Sequence, residues 1–201
     1  MAIQARTQSE QITNGQIGQI QDRLGTKLRD SGLSAKGVQE VLKAPGSVID
    51  EMVAALRKYV EASSDLIVRR VRVNRSRLPK QALEATARRL FVNDSVVAAM
   101  PRGEGDDVEV VFFRLGCYMI AANLEKEYEL RGLKPADPYS QAAVNEDDPA
   151  FAKECSNVTH WKDSGKWCFA AFGDWSGERY VRVMCEDSTW DKYWWFAGLR
   201  K

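Results

Sequence analysis

Histidine is almost absent. His160 is the single imidazole in 201 residues, so any histidine-based general acid or base must be that residue. Charge of one sign is lacking as well. The chain has 29 Lys and Arg against 28 Asp and Glu, a formal +1. That leaves no bulk electrostatic pull toward nucleic acid or an anionic membrane. No apolar run approaches the roughly 18 residues of a membrane span. The opening residues MAIQARTQSEQ lack the basic start and apolar stretch of a secretory signal, so they assign no cellular location. There is no GxSxG, no HExxH and no Gly-rich phosphate loop, and the carboxylates are scattered. An enzyme is therefore not expected, and no cofactor is implied. Tryptophan, finally, is missing from the first 160 residues.

What is present suits one ordinary domain, or a small domain with a helical appendage. Hydrophobic residues make up 44%, enough for a core. Residues 1–62 read as helical. Ile12, Ile17, Ile20, Leu24 and Leu28 fall near helical spacing, and Gly32 fits a helix stop. Ser47 fits an N-cap before the stripe Val48, Ile49, Met52, Val53, Leu56, Tyr59 and Val60. The first helix is too polar to form a core alone, so 1–62 reads either as helices packed on the domain or as a docking or oligomerisation segment. Alternation in LIVRRVRVN predicts a strand over 66–74. Pro79 opens a helix, KQALEATARRL, and FVNDSVVAAM and VEVVFFRLG read as strands. NLEKEYELRG predicts a charged helix and QAAVNEDDPAFAKECSN a short one. WCFAAFG, RYVRVM and YWWFAGLRK have strand composition.

Several groups could carry chemistry. Four cysteines would permit two disulfides in three connectivities. With no signal for an oxidising compartment they read as mostly buried thiols. Cys155, His160, Cys168 and Cys185 lack the spacing of a zinc knuckle, so no metal is expected. THW before KDSGKW places His160 at a strand end, donating one structural hydrogen bond. The segment 69–80, RRVRVNRSRLPK, holds five Arg and one Lys without an acid and could track phosphates. Acids such as Glu104, Asp106 and Asp107 could equally balance it. A nucleic-acid-associated accessory protein is the alternative function this segment supports.

The last 41 residues hold eleven of the nineteen aromatics. Within RYVRVM, Val181 and Val183 point to one side and Tyr180, Arg182 and Met184 to the other. The scaffold side is regular. The other side and its flanking loops carry chemically unrelated residues: Asp174, Ser176, Glu178, Tyr180, Arg182, Met184, Glu186, Ser188, Asp191, Lys192 and Tyr193. A rigid sheet presenting an interaction surface would read this way.

The Trp-rich ending WWFAGLRK, with VEVVFFRLG, LEKEYELRGLKPADPYSQAAVNEDDPAF and THWKDSGKWCFAAFG upstream, resembles the variable proteins of diversity-generating retroelements. The resemblance covers roughly 66–201. It implies an α+β, C-type lectin-like domain over 63–201 with a variable region at about 168–201. It further implies a non-enzymatic ligand-binding protein whose unrelated residues, the eleven above, are diversified to bind changing partners. The tryptophans, Val181, Val183 and FAGLRK would be scaffold, Val108–Phe113 would pair near Trp194–Leu199, and no calcium ligands are implied. The same fold class includes cysteine-dependent enzymes, but the contexts KWCFA and VMCED do not match theirs.

Overall fold

Phe112 and Phe113 are neighbours in sequence, and both are completely buried. Adjacent side chains on a strand point to opposite faces, so their strand must be covered on both. In the computed structural model, which describes residues 12–43, 47–63, 66–115, 117–186 and 189–201, that strand lies inside an eight-stranded mixed sheet. The chain divides into two units, Met1–Lys58 and Tyr59–Lys201.

The helices α1 (Asn14–Asp30), α2 (Ala35–Lys43) and α3 (Ser47–Ser63) begin the chain. A capping box starts α1: Gln16 N–H donates to the Thr13 hydroxyl, and Thr13 N–H to the Gln16 side chain at 2.8 Å. Gly32, at φ +70°, follows its end in the left-handed conformation that favours glycine. Neither α1 nor α2 has a buried residue. Ile17, Ile20, Leu28, Val41, Leu42, Ile49 and Val53 are all exposed. The helical spacing is as expected, but the apolar stripes are not packed into a core of their own. No described helix is long and apolar enough to cross a membrane.

The second unit is an α+β domain. It comprises β1 (Leu66–Arg72), α4 (Pro79–Glu84), β2 (Arg89–Val92), α5 (Asp94–Ala98), β3 (Asp107–Arg114), β4 (Met119–Ile120), α6 (Ala121–Leu130), β5 (Leu133–Pro135), α7 (Pro138–Asp147), α8 (Phe151–Glu154), β6 (Asn157–Asp163), β7 (Lys166–Trp175), β8 (Glu178–Cys185), β9 (Thr189–Trp190) and β10 (Trp195–Arg200). The strand order is β1-β3-β10-β6-β7-β8-β2, with β5 also on β10, and β4 and β9 form a separate pair. Antiparallel pairing of β3 with β10 sets Phe113 opposite Phe196 and Val110 opposite Leu199, as expected for these segments. The sheet has two covered faces. On one, Val110, Phe112, Ala170, Phe172, Val181, Val183 and Ala197 pack with residues of α4, α5, α7 and α8. On the other, Val111, Phe113, Val158, Phe169, Ala171 and Phe196 pack with Leu124 and Tyr128 of α6 and with Trp190.

Three expectations need correction. The helix opened by Pro79 stops at Glu84, and the last two residues of its expected span, Arg89 and Leu90, belong to the strand Arg89–Val92, which pairs parallel to β8. Most of FVNDSVVAAM is not strand, because Asn93 caps α5 by accepting from Ser95 N–H at 3.0 Å. The cysteines are not simply buried thiols. Cys168 and Cys185 oppose each other across β7 and β8 and are joined by a disulfide, and Cys117 is exposed. Denatured without reductant, the chain should therefore take up two maleimides, and four after reduction. Intact mass reads the number, and four adducts without reductant would disprove the bridge.

Candidate functional site

Burial of β7 on both faces positions the site. Its residues Cys168–Gly173 are buried without interruption, as a central strand requires. The partner β8 is buried on one side only. Val181 and Val183, each 0% exposed, oppose Phe172 and Ala170 beneath the helices. Burying two valines contributes about 1.5–3 kcal/mol each. Tyr180, Arg182 and Met184 oppose Gly173, Ala171 and Phe169 on the other face. The two small residues make room. A Cβ at Gly173 would lie 2.6 Å from the Tyr180 hydroxyl and 2.7 Å from Cζ, so the phenol ring lies directly on the glycine.

A recess of about 360 Å³ opens over this patch. Phe169 and Ala171 line it together with Tyr180, Arg182, Glu186, Thr189, Trp190 and Trp194. Trp190 packs edge-to-face on Phe169 at 5.0 Å and against Trp194 at 5.1 Å. Arg182 is held from three directions. Its Nη2 is 3.0 Å from Glu186, its Nε donates to the Met184 sulfur at 3.0 Å, and its guanidinium lies 5.8 Å from the Phe169 ring centre. Tyr180 packs edge-on to Phe91, and burial raises its hydroxyl pKa, Arg182 opposing and Asp174 adding. The recess thus offers aromatic walls, a phenol and one guanidinium–carboxylate pair.

The other expected residues fall into two groups beside the recess. Asp174 accepts from Gly177 N–H at 2.8 Å and shapes the β7–β8 turn, where Ser176 takes φ +54°. Glu178 pairs with Arg89 at 2.8 Å. Asp191 accepts from Tyr193 N–H at 2.8 Å, and the Lys192 ammonium lies 5.2 Å from the ring of Tyr193, which is 66% exposed. Ser188 lies outside the described residues. Among the described residues none of the eleven is buried. Met184 is the most committed to packing, lying against the second core. Sequence reasoning missed Thr189, Phe169 and Ala171 as lining residues. It also placed Trp175 in the scaffold, whereas that ring is 79% exposed at the hairpin end.

The basic segment is largely engaged, but not by the acids expected. Arg70 pairs with Glu109, Arg75 with Asp137 and Lys80 with Asp94, at 2.9, 2.9 and 3.1 Å. Arg77 makes two hydrogen bonds to Glu146. Lying mid-strand in β6, His160 is not at a strand end. It packs at tilted angles between Tyr128 and Trp167, and neither ring nitrogen has a hydrogen-bond partner, contrary to the single bond expected. Burial, with a smaller push from Lys162, lowers its pKa to about 4. Among the described residues no three metal-ligating side chains gather.

Comparison with protein-family models, curated proteins and solved structures returns no match.

Two outcomes follow from this geometry. Gly173→Ala should cost about 1–3 kcal/mol by pushing a methyl into the Tyr180 ring. In a Tyr180→Ala background the same change should be nearly neutral, and chemical denaturation of all four proteins reads the coupling. Equal costs in both backgrounds would show that Tyr180 is not the obstacle. The second concerns acid. Unfolded, His160 takes up a proton near its ordinary value of 6.5, but folded only near 4. Stability should thus fall as pH drops from 6.5 toward 4, after which this contribution is constant. Across that window His160→Gln should show a shallower decline in urea melts.

Proposed function

We propose that the chain is a non-enzymatic ligand-binding protein, a variable protein of a diversity-generating retroelement. Its C-type lectin-like domain would present the β7–β8 recess and the adjoining turns to changing partners. One observation carries this reading. Along β8 the pleat sends Val181 and Val183 into the core and leaves Arg182 exposed and Tyr180 and Met184 half-buried. Side chains on that second face can be exchanged while the first face keeps the sheet packed. A preformed sheet also lowers the ordering cost of binding. Tyrosine and arginine beside a water-excluding tryptophan wall are the side chains that dominate interface energies. The ion pairs of Arg70, Arg75, Arg77 and Lys80 leave less unpaired charge for phosphates, so nucleic-acid binding through 69–80 is not preferred.

Randomising positions 174, 176, 178, 180, 182, 184, 186, 188, 191, 192 and 193 together, in a displayed library, tests the reading. Most members should melt within a few degrees of the parent, and selection against unrelated proteins should recover binders. The same randomisation of 170, 172, 181, 183 and 197 should abolish folding. A site library that mostly fails to fold, or yields no binder, overturns the proposal. So does a gene without a reverse transcriptase and an adenine-altered near-copy of its 3′ end nearby.

A further inference from the structure

We propose that the binding face has a fixed margin outside the eleven varied positions, formed by Arg89, Phe91 and Trp175. This margin selects folded protein partners that present an aliphatic side chain beside a carboxylate. The inference rests on the function proposed above and adds what every version of the chain has in common. Register creates the margin. β2 is the outermost strand and pairs parallel to β8, with Arg89 opposite Tyr180 and Phe91 opposite Arg182. Tyr180 and Arg182 in turn oppose Gly173 and Ala171 on β7. Side chains in register on neighbouring strands share a face, so the floor of the recess continues by one strand, about 4.8 Å.

β2 repeats the division seen in β8. Leu90 and Val92 pack against the helix-covered core, while Arg89 and Phe91 are exposed on the other side. Trp175 shares the phase of Phe169, Ala171 and Gly173 and ends the face at the hairpin turn. Phe91 is 44% exposed and Trp175 79%. Phe91 is nonetheless held in place. Tyr180 packs edge-on to it at 6.4 Å, and the Arg89 guanidinium lies 4.9 Å from its ring centre. Glu178 fixes Arg89 in turn at 2.8 Å, and both partners stay more than half exposed. Aromatic and arginine side chains already ordered before contact lose little on binding and dominate interface energies.

The kind of partner follows from shape and charge. Neither Phe91 nor Trp175 lines the recess, so they extend the face beyond its concave part. Small molecules need enclosure, whereas a protein surface covers such an open face. Among the described residues of β2, β7 and β8 on this side, Arg89 is the only charged one outside the eleven. The acids nearest in sequence to this face, Glu178 and Glu186, are both varied positions. What every version keeps is therefore one cation and two aromatic rings. An aliphatic side chain covers the rings, and a carboxylate meets the guanidinium.

The test selects a displayed library of the full chain, varied only at the eleven positions, on two folded proteins, acidic ovalbumin and basic lysozyme. Ovalbumin binders should outnumber lysozyme binders. In each of them Phe91→Ala should weaken binding by about tenfold or more. Trp175→Ala and Arg89→Met should each weaken it by about threefold or more. Leu78→Ala, 59% exposed at the start of α4 in the opposite layer, should leave affinity unchanged. Thermal melts separate a lost contact from a lost fold. Phe91→Thr, a strand-forming replacement, carries the test should Phe91→Ala misfold. Unchanged affinity in the folded Phe91 variants overturns the fixed margin and leaves the varied face standing. An equal loss in Leu78→Ala does the same. Equal recovery on lysozyme overturns the acidic partner class. A library without any binder overturns the function itself, so the two failures are distinguishable.

Discussion

The pleat of β8 is the constraint on which the C-terminal third depends. A strand that packs on one side and is open on the other separates two sets of demands within one hexapeptide. Val181 and Val183 answer to the helices beneath, whereas Tyr180 and Arg182 lie on the open face and line the recess. The neighbouring β7 makes this possible. Buried on both sides, it supplies Phe172 and Ala170 to one core and Phe169 and Ala171 to the other. The outward side chains of β8 thus rest on a surface that is already fixed.

Small residues matter as much as large ones in that surface. Gly173 and Ala171 keep the floor low, so a tyrosine and an arginine can lie over it rather than stand away from it. Trp190 and Trp194 then close one wall through ring-on-ring contacts rather than through hydrogen bonds. Across the sheet, polarity is handled differently. Gln141, Asn145 and Asn157 form a buried amide network, and Arg88 donates to Asn145 and to the carbonyls of Gly173 and Pro149. The glycine under Tyr180 is thereby tied to the protein interior.

Local periodicity made much of this legible. Alternation identified β1, strand composition identified β3 and β7, and the phase of Val181 and Val183 in β8 gave the two faces of the site correctly. The helical stripe after Ser47 and the charged helix before Gly132 were equally plain. What local pattern could not carry was partnership. The acids that meet Arg75 and Arg77 are 62 and 69 residues away, and Cys168 finds Cys185 only once a register is set. Trp175 has core composition but falls at a hairpin end, where no layer covers it. At Asn93 the capping chemistry was present, in Asn-Asp-Ser, and was outweighed by the valines after it. The unpartnered nitrogens of His160 had no sequence signal, since the rings beside it come from α6 and from β7, brought there only by the fold.

The β7–β8 hairpin is closed at both ends, by the tight turn at Ser176–Gly177 and by the sulfur bridge on its core side. Sliding one strand past the other by a single residue would exchange its inner and outer side chains. A covalent rung at the open end forbids that slide. Substitutions on the outer face, however poorly they suit a strand, are therefore confined to changing what the surface looks like and cannot change which residues form it.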